Sequence, residues 1–187
     1  MKKILVIIDM QNDFIFSDFA LGNKHTEAAY ANLMKWLGDK QPGAYDHVVL
    51  TRDTHQTDYL TTAEGVKLPI SHCIEGTEGW EIPRRLYVLS EQVMSHNPYL
   101  PTLVDKKTFG SVNLPDVLEN IMDNDDEWSV EFCGLCTDIC VVSNVLMTKA
   151  FFPELPISVH EKFCAGVTPE SHAAAITTMK SCQIDII

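Results

Sequence analysis

Short apolar runs alternate with amphipathic stretches along the chain, and two of the runs end in an aspartate. Residues 3–9 (KILVIID) end in Asp9, and residues 47–53 (HVVLTRD) end in Asp53. Continuous apolar runs of this length are typical of central strands that are covered on both faces. Further short strands are expected at residues 129–133, 157–160 and 183–187.

The stretches between these runs show helical periodicity. Apolar positions spaced by three and four predict amphipathic helices over residues 30–37 and 114–121. Thr137 or Asp138 is suited to cap a third helix, and Thr168 followed by a proline is suited to open the last one. Strands that alternate with helices predict an α/β fold of three layers, α/β/α, around a mostly parallel sheet of about six strands.

Residues 54–102 interrupt this alternation with scattered Pro, Gly, His and acidic residues. So long an irregular stretch inside a domain is more often a functional loop than filler. The remaining sequence contains no repeat, low-complexity tract or interdomain linker. We therefore expect a single domain, residues 1–187, with an irregular active-site loop region at residues 54–102.

Charge and composition exclude some classes of function. The formal net charge of −12 repels phosphate backbones, so nucleic acid is not an expected partner. No apolar run approaches the ~20 residues of a membrane-spanning helix, and the run after Lys3 is too short for a signal peptide. The six cysteines are therefore expected as reduced thiols in a cytoplasmic protein without membrane contact.

Polar groups are expected to meet at one edge of the predicted sheet. Asp9 and Asp53 each end a strand, and the turn at residues 134–140 follows a third strand. In an open parallel sheet, ligands bind beyond the carboxyl ends of the strands. Cys140 is expected at a helix start, where free N–H groups favour a thiolate and could bind an oxyanion. Taken alone, these positions also fit a packed apolar cysteine, an aspartate that caps a turn and, at Lys106, a surface lysine.

Three motifs give this arrangement a family context: residues 9–14 (DMQNDF), 106–111 (KKTFGS) and 134–141 (GLCTDICV). In order and spacing they resemble the isochorismatase-like cysteine hydrolase family, and within it the nicotinamidases, over nearly the whole chain. The resemblance implies that fold and a catalytic triad of Asp9, Lys106 and Cys140. Lys106 matches the family's lysine better than Lys107, because that lysine stands two places before the Thr-Phe pair.

The same resemblance implies the remaining parts of the site. The backbone N–H groups of Cys136 and Cys140 would form the oxyanion hole, with a cis peptide between Leu135 and Cys136. Phe14 and Leu135 would contact the substrate. The implied reaction is the hydrolysis of a linear amide, most simply of nicotinamide to nicotinate and ammonia, through a thioester acyl-enzyme.

A group of His and acidic residues forms a candidate metal site, with Asp53, His55, Glu64 and His72 as ligands. Two imidazoles and two carboxylates suit Zn²⁺, Fe²⁺ or Mn²⁺, although histidines and acids also fall together by chance. The nicotinamidase resemblance implies a divalent metal, Zn²⁺ before Fe²⁺ or Mn²⁺, that binds the pyridine nitrogen of the substrate. Glu64 is the ligand position at which relatives differ, since many carry histidine there.

One departure from the resemblance leaves the substrate open. Residues 68–73 (LPISHC) lack the tryptophan that nicotinamidases commonly carry before the His-Cys step, and Trp80 is the candidate to replace it. A sibling hydrolase of ureido, carbamoyl or other small amides would share the triad and differ in its pocket walls. Relatives are often oligomers, so a homo-oligomer is a further expectation.

Two other classes of function compete with a hydrolase. Cys133 and Cys136 form a C-x-x-C pair, which would indicate thiol redox or cysteine–metal chemistry if a thiol were exposed at a helix start. Cys133 ends an apolar run and is expected to be buried, which disfavours that alternative. A non-catalytic binding protein on the same scaffold has no support, because all three triad positions are filled.

Overall fold

The computed structural model describes residues 1–94, 100–122 and 127–187. Within these residues a six-stranded sheet has the spatial order β3-β2-β1-β4-β5-β6, and each adjacent pair is parallel. Its strands are β1 (Lys2–Ile8), β2 (His47–Asp53), β3 (Thr102–Lys106), β4 (Trp128–Leu135), β5 (Ile157–Ala165) and β6 (Asp185–Ile186). The parallel sheet of six strands is confirmed.

Helices occupy much of the remaining described chain: α1 (Asn12–Ile15), α2 (Lys24–Gly38), α3 (Ala63–Lys67), α4 (Arg84–Gln92), α5 (Leu114–Ile121), α6 (Val142–Phe151) and α7 (Pro169–Ser181). α2 packs on β5 and contacts α4, whereas α5, α6 and α7 contact one another in chain order. These two groups form the helical layers that flank the sheet. None of the described helices is long and apolar enough to cross a membrane.

Local sequence explains where the main elements begin and end. The side chains from Ile4 to Ile8 are buried, as the continuous apolar run predicted. Thr168 caps α7 in a reciprocal arrangement with Ser171, and a proline occupies the first turn. The helix after β4 differs from expectation, because it opens with a π-helical turn, Thr137–Val141, whose N-cap is Cys136.

The predicted loop region at residues 54–102 is less irregular than expected. It contains a 3₁₀ turn (Tyr59–Thr61), α3 and α4, and residues 95–99 lie outside the described residues. β3 follows this region and was not predicted. As an edge strand it needs no continuous apolar run, and Leu103 is 42% exposed.

The topology locates the site. The strand order reverses between β1 and β4, and ligands in open α/β sheets bind at the carboxyl ends of the strands beside such a switch point. Gly134 permits the close approach of the two strands there. Its φ is +132°, and an added Cβ would come within 2.1 Å of the Ile8 carbonyl oxygen.

Candidate active site

Four strand ends bring the proposed triad together. Asp9 directly follows β1, and the register of β2 with β3 pairs Asp53 with Lys106. β4 leads into the π-helical turn that contains Cys140. Lys106 Nζ lies 2.6 Å from Asp9 Oδ2 and 3.6 Å from Cys140 Sγ. Lys106 thus contacts both Asp9 and Cys140 at one edge of the sheet, although the three residues are far apart in sequence.

Asp9 is held from two sides. It is fully buried (0% exposed), and the Thr51 hydroxyl donates to its Oδ1 at 2.6 Å. The Asp9 N–H in turn donates to Thr51 Oγ1 at 3.1 Å. This pair fixes Asp9 in the left-handed region, at φ 46°, where non-glycine residues are uncommon and cluster at functional sites.

The electrostatics favour a neutral thiol beside a carboxylate of unusual basicity. Burial raises the pKa of Asp9, and the nearby Asp53 raises it further, against the opposing charge of Lys106. Burial lowers the pKa of Lys106, but Asp9, Cys140 and Asp53 raise it more, so the ammonium stays charged. Burial and the charge of Asp9 raise the pKa of Cys140 well above its usual range. The resting thiolate expected at the helix start stays a prediction, and burial of the sulfur acts against it.

The four candidate metal ligands converge at a neighbouring point. His55 Nε2 lies 2.9 Å from Asp53 Oδ2, and Glu64 Oε1 lies 3.7 Å from Nε2 of both His55 and His72. One ligand atom from each residue lies within 4.8 Å of all the others. Ligands about 2.0–2.2 Å from a shared ion stand roughly 3–4 Å from one another. The contacts of 2.9 and 3.7 Å between these side chains fit a divalent cation.

The surroundings of these ligands support the same interpretation. His72 Nδ1 donates to the Ile70 carbonyl oxygen at 2.8 Å, which holds the ring with Nε2 facing the cluster. Burial raises the pKa of Asp53, but hydrogen bonds from His55 and His72 and the charge of Lys106 lower it more, so the pKa falls well below its usual range. Two carboxylates and two imidazole nitrogens therefore point at a space suited to a cation.

A cavity of about 210 Å³ joins the two groups of residues. Cys140 and Cys136 line one part of it, and Asp53, Glu64 and His72 line another. Apolar walls complete it, together with Asn23: Phe14, Leu21, Leu68, Phe109, Ile139 and Val167. The cavity is therefore mostly apolar, with a nucleophile candidate and a cation site opening into the same space.

Of the two predicted substrate contacts, Phe14 and Leu135, one lines the cavity and the other does not. Phe14 lines the cavity, and its ring lies 5.4 Å from that of His72. The side chain of Leu135 is instead fully buried in the core and does not line the cavity. The prediction that the Leu135 side chain contacts the substrate is therefore wrong. The peptide between Leu135 and Cys136 is cis, as the resemblance implied.

Trp80 does not replace the missing tryptophan. Its ring packs 3.9 Å from the Arg52 guanidinium, and its Nε1 donates to Thr54 Oγ1 at 2.9 Å. These contacts place it at a separate surface groove. Cys133 is fully buried, as expected, and burial raises its pKa, which disfavours a redox pair with Cys136.

Sequence reasoning missed several residues that build the site. Thr51 begins the polar end of β2, directly after the apolar residues, and its hydroxyl contacts Asp9. Phe109 and Val167 line the cavity from loops, where periodicity carries no signal. The oxyanion role of the Cys136 and Cys140 N–H groups stays a prediction, although both residues border the cavity.

The six-stranded parallel sheet with its flanking helices has the isochorismatase-like α/β fold. The chain belongs to the isochorismatase domain family, whose sequence model matches residues 3–187.

Individual relatives are similar over almost the whole chain. A nicotinamidase of Schizosaccharomyces pombe is 26% identical over 208 residues, covering 98% of this chain and 91% of its own. The crystal structure of a nicotinamidase/pyrazinamidase of Bacillus subtilis has a TM-score of 0.79 and 25% identity, with coverage of 100% and 99%. A pyrazinamidase of Pyrococcus horikoshii in complex with zinc has a TM-score of 0.70 and 21% identity, with coverage of 100% and 99%.

Proposed function

We propose that this protein is a cysteine-dependent amidohydrolase of the nicotinamidase type, which converts nicotinamide and water to nicotinate and ammonia. One observation carries the proposal: a single apolar cavity is bordered by Cys140 and by the ligand cluster of Asp53, Glu64 and His72. A flat heteroaromatic amide uses both, because its carbonyl carbon needs a nucleophile while its ring nitrogen is a metal ligand. Relatives named as nicotinamidases share the whole fold.

In the proposed reaction the Cys140 sulfur attacks the amide carbonyl as the thiol proton passes to Asp9. The raised pKa of Asp9 suits a group that takes up this proton and returns it to the leaving nitrogen, which departs as ammonia. Lys106 stays charged beside both residues and stabilises negative charge as it moves from carboxylate to sulfur. Water then hydrolyses the thioester, with Asp9 again as the base, and releases the acid.

A divalent metal would be held by Asp53, His55, Glu64 and His72 and would supply a Lewis-acid anchor for the ring nitrogen. We propose Zn²⁺ first, because a set of four nitrogen and oxygen donors suits it and a relative of the same fold was solved with zinc. Fe²⁺ and Mn²⁺ accept the same donors. Two aromatic side chains orient the imidazole rings of the cluster: Phe14 packs against His72, and Tyr59 packs against His55.

The test is ammonia release from nicotinamide, pyrazinamide and a ureido compound, with chelator-treated protein and with added Zn²⁺ or Mn²⁺. We expect turnover of the two heteroaromatic amides, its loss in Cys140→Ala, and its loss on chelation with recovery on adding metal. Cys182→Ala is the matched control, because that cysteine is exposed and absent from the cavity lining. Hydrolysis of the ureido compound alone would identify a sibling amidase, and full nicotinamide turnover by metal-free protein would exclude the metal role.

Three further expectations belong to this proposal. We infer that residues 1–187 act as one domain, since one family model spans nearly all of them. The six cysteines are free, which supports a reducing, cytoplasmic location. A homo-oligomer stays a prediction that the mass of the purified protein in solution would test.

A further inference from the structure

Gln11 makes an unusual set of contacts for a residue that borders neither the substrate cavity nor the solvent. Its side chain is fully buried, and its amide binds both main-chain groups of Asp53. Nε2 donates to the Asp53 carbonyl oxygen at 2.9 Å, and Oε1 accepts from the Asp53 N–H at 2.7 Å. Nε2 also donates to the Trp80 carbonyl oxygen at 2.8 Å.

The sheet leaves Asp53 with only one strand as a neighbour. On one side β3 pairs with β2 as far as Asp53 and Lys106, but on the other side β1 pairs with β2 only as far as Leu50. The amide of Gln11 takes the place of a strand on that second side, since it offers a donor and an acceptor with the spacing of a peptide group. Asp53 is therefore fixed from both sides although the ladder to β1 has ended.

The orientation of Asp53 matters because its two carboxylate oxygens face different groups. Oδ1 lies 3.2 Å from Lys106 Nζ, on the side of the triad. Oδ2 lies 2.9 Å from His55 Nε2 and 3.6 Å from His72 Nε2, on the side of the ligand cluster. A small rotation of the main chain at Asp53 would lengthen contacts on one side or the other.

We propose that Gln11 is a positioning residue that holds Asp53 ready for a divalent metal ion and thereby sets the metal affinity of the site. The inference rests on the proposed function, in that it takes the cluster of Asp53, His55, Glu64 and His72 as a metal site. Gln11 acts through Asp53 and touches none of the reacting groups. Loss of a residue that hydrogen-bonds to a metal ligand in this way typically weakens metal binding by roughly 10–100-fold.

The experiment measures the Zn²⁺ affinity of the full chain by competition with a chromophoric chelator. Gln11→Met has a similar length and removes all three hydrogen bonds without opening a large cavity. Gln11→Glu is the second variant, because it keeps an oxygen for the Asp53 N–H but sets an acceptor against two carbonyl oxygens. We expect both variants to bind Zn²⁺ about 10–100-fold more weakly than the parent protein.

Two controls separate positioning from a general loss of stability. Asn12→Ala removes the neighbouring contact to the Glu78 carbonyl oxygen, which lies away from the ligands, and should change the Zn²⁺ affinity less than about twofold. Leu118→Ala opens a cavity in the buried face of α5 and should lower the melting temperature without weakening Zn²⁺ binding. Circular dichroism confirms that each variant is folded at the temperature of the titration.

The outcomes are distinct. Parent-like Zn²⁺ affinity in folded Gln11→Met overturns the positioning role and leaves the proposed function intact. An equal loss of affinity in Leu118→Ala also overturns it, because the effect would then follow from stability alone. Absence of Zn²⁺ binding by the parent protein overturns the metal role in the proposed function, and this inference falls with it.

Discussion

Replacing Thr51 by valine tests whether Asp9 is the proton acceptor. Thr51 is fully buried, and its hydroxyl both donates to Asp9 Oδ1 at 2.6 Å and accepts from the Asp9 N–H at 3.1 Å. Valine has nearly the same shape and makes neither bond. The substitution therefore changes the environment of one carboxylate while leaving Lys106 and Cys140 in place.

The contribution of the Thr51 hydroxyl to the free energy of unfolding can be worked out from its two hydrogen bonds. A hydrogen bond to a charged group contributes about 1.5–3 kcal/mol, and an unpaired buried N–H costs a further 1–3 kcal/mol or so. We expect the free energy of unfolding to fall by about 3 kcal/mol, which lowers the melting temperature by roughly 6–12 °C in a chain of this size. The donated bond favours the ionised form of Asp9, so its loss raises the pKa of Asp9 still further above the usual range.

The sign of the kinetic effect follows from that shift. The base must be ionised before it can accept the thiol proton, so a higher pKa moves the acid limb of kcat/KM to higher pH. The assay is ammonia release from nicotinamide across the pH range, with Thr51→Ser as the control that keeps the hydroxyl. A Thr51→Val enzyme that is folded, less stable and yet has the parent's acid limb would refute the role of Asp9.

Two substitutions outside the cavity test the framework. Burial raises the pKa of Glu131, but hydrogen bonds from His160, Tyr45 and Lys3 lower it more and hold it at about 2, against an ordinary value of 4.5. The stabilisation is complete above pH 4.5 and disappears as the pH falls toward 2. In urea denaturation, Glu131→Gln should therefore lower the free energy of unfolding by about 2 kcal/mol at pH 7 and by little at pH 2. An equal decrease at both pH values would contradict this. Gly134→Ala places a Cβ 2.1 Å from the Ile8 carbonyl oxygen at a φ of +132°. We expect the free energy of unfolding to fall by at least about 3 kcal/mol. A parent-like melting temperature would show that β1 and β4 separate without cost.

The strands that carry Asp9 and Asp53 were predictable because they are buried on both faces. Such strands must be apolar throughout, so a polar residue at the end of each run stands out in the sequence. The rule that ligands lie beyond the carboxyl ends of parallel strands then brings the two acids to one edge. Lys106 could not be found in this way, since β3 is an edge strand with an exposed Leu103 and no continuous apolar run.

The cavity walls and α4 were not predictable for related reasons. The apolar residues of α4 are consecutive, Leu86 to Leu89, so they lack the spacing by three and four that predicts an amphipathic helix. Phe109 and Val167 belong to loops, and their place beside Cys140 depends on how several elements pack. Trp80 had the right chemistry for a ring-stacking wall, but the contacts with Arg52 and Thr54 hold it elsewhere.

The charge of the site links its two halves. Asp9, Asp53 and Glu64 bring three carboxylates together, and Lys106, which contacts Asp9 and Asp53, offsets one of them. Two negative charges then remain beside imidazoles whose ligand nitrogens face inward, and burying uncompensated charge is costly. A divalent cation bound where the donor atoms converge would supply the missing charge. Asp53 touches both Lys106 and the ligand cluster, so the carboxylate proposed to hold a metal also helps to keep the lysine charged beside Cys140.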